Sequence, residues 1–185
     1  MIDEAVRAIA NGEVVGLPTD TVYGVGVDPF SVDAVARLFE LKGRPEYKPI
    51  GLLAATTAQA REIGFVSDDL ADLADRHWPG SLTLVVPARV VMAEWIGDMQ
   101  TRTIGVRVPD HPVALELLNA TGPLAVTSAN LSGGPETMNN DEARAVFGDK
   151  VAVYLDGISP GGQASTVVDA TGARLVVLRE GPVEI

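Results

Sequence analysis

Three cations, Lys42, Arg44 and Lys48, fall within seven residues of one another, on a segment braced by Pro45 and Pro49. Arginine offers a planar fork to phosphate oxygens, and lysine offers a point charge. For Lys42 alone, the attraction of a cation to a helix C-terminus is reason enough for its position. The whole cluster, in an otherwise acidic chain, points instead to an anion site. A second candidate is Ser128-Ala129-Asn130-Leu131-Ser132-Gly133-Gly134. Its hydroxyls, amide and backbone N–H groups suit phosphate, although the same residue types also build ordinary turns. Thr19-Asp20-Thr21 places polar groups between two apolar runs, and a local Thr/Asp turn would explain it equally well. Arg107 lies inside a valine-rich strand pattern, where an unpaired charge is costly to bury. It needs either an acidic partner or a ligand carboxylate. Ser165 with Thr166, and Arg179 at the end of the last apolar run, complete the set.

These residues must be positioned by short elements of alternating type. Apolar runs at 14–17, 22–27, 50–54, 82–86, 104–108, 124–127, 151–155, 166–169 and 175–178 read as strands. Helical patterns occupy 3–10, 31–42, 56–63, 67–77 and 112–119, and a further short helix opens at Asn140. Ser31 can cap the second helix, and Gly43 stops it. The alternation predicts an α/β fold: one open, twisted, mixed sheet with helices packed on it. In such sheets ligands usually lie beyond strand ends, which is where the 128–134 loop falls. No repeat or linker divides the chain, so residues 1–185 are expected to form a single domain.

Composition narrows the chemistry. The 185 residues carry 14 Lys and Arg against 25 Asp and Glu, a formal charge of −11, and no cysteine. Thiolate catalysis, disulfides and cysteine-bound zinc are excluded. The two histidines, His77 and His111, cannot form a three-histidine metal centre, and no metal ligand set is evident among the side chains. Neither a GxxxxGK[ST] loop nor a complete GxGxxG is present. The acidic balance disfavours a broad nucleic-acid surface. The first residues lack the basic and apolar regions of a signal peptide, and no apolar run reaches about 18 residues. A cytoplasmic protein without membrane association is the expectation.

Five segments together carry a family resemblance: PTDTVYGVG (18–26), KGRP (42–45), TIGVRVPDHP (103–112), TSANLSG (127–133) and STVVD (165–169). Each is weak alone, but in this order and spacing the chain resembles the YrdC/TsaC family of threonylcarbamoyl-AMP synthases over about residues 3–181. It resembles the short, single-domain form. The resemblance implies a YrdC-like sheet with a concave, positively charged cavity. It also implies a nucleotidyltransferase that joins ATP, L-threonine and bicarbonate or CO2 into L-threonylcarbamoyladenylate and pyrophosphate, with Mg²⁺ accompanying ATP. A downstream tRNA threonylcarbamoyl-transferase complex would then modify a tRNA adenosine, and a weak direct contact with tRNA is compatible with this scheme.

Carried over position by position, the resemblance assigns ATP binding to Lys42, Arg44, Lys48, Thr103, Ser128, Asn130 and Arg179. Lys42 and Arg44 would be catalytic. L-Threonine would be held by Thr21, Arg107 and Ser165, with Arg107 pairing its carboxylate. Two departures stand out. Where relatives often carry a nucleotide-touching threonine, this chain aligns Met138, with Thr137 beside it, and Leu53 stands where longer relatives have a histidine. The alternative is an RNA-binding module of the same fold without adenylate synthesis. Its weakness is that no aromatic stacking series accompanies the cations.

Overall fold

The computed structural model describes residues 1–43, 49–161 and 163–185. Along the chain these form α1 (Ile2–Ala10), β1 (Val15–Leu17), β2 (Gly24–Val27), α2 (Val32–Lys42), β3 (Leu52–Leu53), α3 (Thr57–Ile63), α4 (Asp68–His77) and β4 (Leu82–Pro87). They continue with β5 (Thr103–Arg107), α5 (Pro112–Thr121), β6 (Leu124–Ser128), α6 (Asn140–Phe147), a 3₁₀ turn (Gly148–Lys150), β7 (Val153–Tyr154), β8 (Thr166–Asp169) and β9 (Val176–Arg179). The strands join in one sheet, in the order β7-β1-β2-β6-β3-β5-β4-β8-β9. The sheet is mixed: β1/β7, β3/β5 and β4/β8 run parallel, and the other neighbours antiparallel.

Local chemistry sets the helix ends. The Ser31 hydroxyl accepts from the Ala34 amide at the start of α2, and Gly43, at φ 55°, closes it in a left-handed conformation open to glycine at little cost. Thr56, Ser67 and Asn139 cap α3, α4 and α6 in the same way. The expected elements are present, with strand ends moved by a residue or two.

Side-chain alternation along the strands separates two faces. Leu82, Leu84 and Val86 of β4, Ile104 and Val106 of β5, and Val168 of β8 enter a large core shared with Val35 and Leu38 of α2, Leu73 of α4 and Phe147 of α6. The opposite face is covered only in part. Leu17, Leu53, Leu124 and Val153 pack there against Ala5 and Ile9 of α1 and Leu117 and Leu118 of α5. Beyond that cover, Thr83 and Val85 of β4, Gly105 of β5, and Val167 and Asp169 of β8 line an open cavity. The ligand-sized space therefore lies on an uncovered sheet face as well as at strand ends. It exists because the two helices on that side stop short of β4 and β8.

Candidate functional site

The cavity has a volume of about 650 Å³, within the range of small-molecule pockets. Six of the residues assigned from sequence line it together: Thr21, Thr103, Arg107, Ser128, Ser165 and Arg179. They come from the β1–β2 turn, both ends of β5, the end of β6, the approach to β8, and the end of β9. Gly105 sits in the floor between Thr103 and Arg107, so no side chain fills the space there.

Arg107 is the best-defined charge in the site. It is 7% exposed and donates three hydrogen bonds. Nε donates to the Gly80 carbonyl at 2.9 Å, Nη1 to the Thr21 hydroxyl at 3.1 Å, and Nη2 to Asp20 Oδ1 at 2.5 Å. Burial pushes its pKa below the usual arginine value, and the Asp20 carboxylate opposes that shift. Of the two partners the sequence allowed, an acidic residue or a ligand carboxylate, the structure shows the acidic one, Asp20. Asp20 is itself anchored: the Ser81 hydroxyl donates to Oδ2 at 2.8 Å, and the Asp110 amide to Oδ1 at 3.0 Å.

Thr21 is buried, and its orientation follows from counting protons. The Thr19 hydroxyl donates to the Val22 carbonyl at 2.7 Å, so it can only accept from Thr21 Oγ1, 3.1 Å away. Thr21 Oγ1 thus donates to Thr19 and accepts from Arg107. The turn is fixed from outside by the Thr19 amide donating to Ser159 Oγ at 3.0 Å, and by the Gly161 amide donating to the Thr21 carbonyl at 2.7 Å.

Ser165 joins two walls. Arg179 donates from Nε to its carbonyl at 2.9 Å and from Nη2 to its hydroxyl at 3.0 Å, and the same hydroxyl lies 2.9 Å from Thr83 Oγ1. Thr103 is 2.8 Å from Thr101 through the two hydroxyls, at the top of a loop tied by reciprocal backbone bonds between Asp98 and Thr103. Gly97 enters that loop at φ 69°, with the Thr103 carbonyl 2.4 Å from where a Cβ would stand, so only glycine fits.

Lys42 and Asn130 do not line the cavity; they stand behind Ser128. Lys42 is 3% exposed. Its ammonium donates to the Ser128 and Asn130 carbonyls, and to Asn130 Oδ1 at 2.9 Å. Ser128 Oγ also donates to Asn130 Oδ1, at 2.6 Å, and Asn130 Nδ2 donates to the Gly134 carbonyl at 2.6 Å. Lys42 and Asn130 thus brace the turn that carries Ser128. Arg44 and Lys48, expected beside them, lie outside the described residues.

Among the described lining residues, the cations Arg107 and Arg179 face the carboxylates Asp98, Glu136 and Asp169. The expected positive character of the cavity is therefore not carried by these residues. Met138 is not among the described residues lining the cavity, and its sulfur lies against Gly161. Thr137 is buried, and its hydroxyl donates to the Ala129 carbonyl at 2.9 Å. Sequence reasoning missed Thr83, whose place in an alternating strand was the available signal. It also gave Asp20 no role, although Asp20 lies inside the PTDTVYGVG segment.

An open mixed sheet with a cavity of mixed polar and apolar lining on its half-covered face is the architecture these observations define. Residues 7–181 match the Sua5/YciO/YrdC family, described as "Telomere recombination", and the chain belongs to that family. A Mycobacterium tuberculosis relative is 45% identical over 185 residues, covering 98% of this chain and 84% of its own. The threonylcarbamoyl-AMP synthase of Vibrio parahaemolyticus is 37% identical, covering 97% of this chain and 98% of its own. The solved structure of P. abyssi Sua5 complexed with L-threonine superposes with a TM-score of 0.91 at 37% identity, covering 97% of this chain and 54% of that one. Among the described residues, no helix is long and apolar enough to cross a membrane.

Proposed function

We propose that this protein is an L-threonylcarbamoyladenylate synthase, a nucleotidyltransferase that makes threonylcarbamoyl-AMP and pyrophosphate from ATP, L-threonine and bicarbonate or CO2. The observation that carries this reading is the pairing, in one cavity, of a buried Arg107 flanked by the Thr21 hydroxyl with the Thr103, Ser128 and Arg179 groups on the surrounding walls. The name of the Vibrio relative and the L-threonine complex of the P. abyssi protein support it.

In this reading Arg107 pairs the threonine carboxylate, while Thr21 and Ser165 hold the rest of the amino acid. Thr103, Ser128 and Arg179 face ATP from the walls, and the resemblance assigns Arg44 and Lys48, outside the described residues, to the same ligand. Lys42 and Asn130 act through the turn they brace. The threonine amine adds to CO2 and loses a proton, giving a carbamate. A carbamate oxygen attacks the α-phosphorus, the bond to the β-phosphate oxygen breaks, and pyrophosphate leaves. Two unit negative charges about 4 Å apart repel by roughly 4 kcal/mol at an effective dielectric near 20. The cations would offset that repulsion, and Mg²⁺ carried in with the ATP phosphates would add to the same effect. The substrate supplies the nucleophile, so positioning and fixed charge are what the protein must contribute. The product would pass to a downstream tRNA threonylcarbamoyl-transferase complex.

The test is pyrophosphate release by the purified protein, with each substrate omitted in turn. Release should require ATP, L-threonine and bicarbonate together. Release independent of threonine would overturn the reading.

A further inference from the structure

We propose that Asp20 is a positioning residue that holds the Arg107 guanidinium as a two-pronged carboxylate fork and thereby sets this site's preference for a free amino-acid carboxylate. The inference rests on the reading of Arg107 given above and assigns a residue outside it. A guanidinium has five N–H bonds. Three are taken, by Gly80, Thr21 and Asp20, which leaves one on each terminal nitrogen. One N–H from each of two nitrogens is the number a bidentate carboxylate takes, and the two must lie parallel, which is the alignment an anchor on Nη2 would set. Without Asp20, the Nη2 edge loses its fixed partner and the guanidinium plane is freer to turn about the Cδ–Nε bond.

Asp20 is suited to this role because it is anchored from two other directions. The Ser81 hydroxyl at the entry to β4 and the Asp110 amide beyond β5 both donate to it, and the Asp20 side chain is only 13% exposed. Its position therefore registers three chain segments against the end of β5.

Two effects of the carboxylate oppose each other. As a charge, it weakens the pull of Arg107 on an incoming anion, so its removal alone would tighten threonine binding. As an anchor, it keeps the fork aimed, so its removal would loosen binding. We infer that the anchor dominates, because Arg107 is buried and its remaining donors are useful only in a fixed direction.

The experiment compares L-threonine with L-threoninol, which lacks the carboxylate, by calorimetric affinity in Asp20→Ala, Asp20→Asn and wild-type protein. KM for ATP is measured in parallel. A merely structural lesion weakens both ligands alike. Loss of aim instead lowers the threonine-to-threoninol affinity ratio, by about tenfold in Asp20→Ala (1.4 kcal/mol). Asp20→Asn, which can keep an oxygen toward Arg107, should lose less, and KM for ATP should stay within about twofold. A ratio that is unchanged or rises in Asp20→Ala overturns the inference. Should Asp20→Ala fail to fold, Ser81→Ala, which frees one anchor, must lower the ratio, and an unchanged ratio there overturns it. Wild-type protein showing no preference for threonine over threoninol would instead sink the reading of Arg107 itself, and the inference with it.

Discussion

Arg179, the last residue of β9, grips Ser165 at two points, its Nε on the carbonyl and its Nη2 on the hydroxyl. One residue faces the proposed nucleotide and the other the proposed amino acid, so neither can move without the other. The two substrate sites should therefore be coupled. Arg179→Ala is expected to raise KM for ATP by about tenfold, the loss of one charge-assisted contact, and to raise KM for L-threonine at the same time. Steady-state kinetics with each substrate varied separately checks this, and a threonine KM within error of wild type would count against the coupling.

Lys42 reads differently in the structure than in the sequence. The sequence suggests a phosphate-gripping cation, whereas the structure buries its ammonium against oxygens of Ser128 and Asn130. Lys42→Ala should therefore destabilise the protein, by about 3 kcal/mol if buried acceptors left unsatisfied cost about 1–3 kcal/mol each. For a chain of this size that is a fall in Tm of roughly 6–12 °C. Scanning calorimetry would detect it, and an unchanged Tm would contradict the bracing role.

How much of this was legible beforehand follows from sequence distance. The strands and helix caps are local signals, and Ser31, Thr56, Ser67 and Gly43 act where their types predict. Thr83 was legible only as a position alternating with the core face of its strand. Its strand was evident, but which face of that strand stays uncovered depends on where α1 and α5 end. Arg107 announced its need for a partner, yet nothing local singled out Asp20, 87 positions away, from the 25 acidic residues. The Lys42–Asn130 bond spans 88 positions and was likewise invisible, so the sequence showed only a cation at a helix C-terminus or in an anion site. The expected location beyond strand ends was incomplete for the same reason, since an open sheet face is a property of the packed whole.

His111, at the start of α5, has a buried Nδ1 with no hydrogen-bond partner. Burial lowers its pKa from the usual value near 6.5, against the opposing bond to the Ile158 backbone and the charges of Asp20 and Asp110. The folded protein thus prefers the neutral ring, while the unfolded chain takes up a proton more readily. This contribution to stability is full above about pH 6.5 and is lost as the pH falls below it, toward the folded-state value. Denaturant midpoints measured from pH 7.5 to 5 should decline, and the decline should be shallower in His111→Gln. Equal slopes in the two proteins would contradict the assignment.

The most direct test of one cavity joining threonine, a one-carbon unit and AMP is the identity of the product formed with carbon-13 bicarbonate. Mass spectrometry of the reaction should reveal an adenylate containing threonine and the heavy carbon, released together with pyrophosphate. An adenylate of threonine lacking the label, or labelled carbon absent from every nucleotide product, would contradict it.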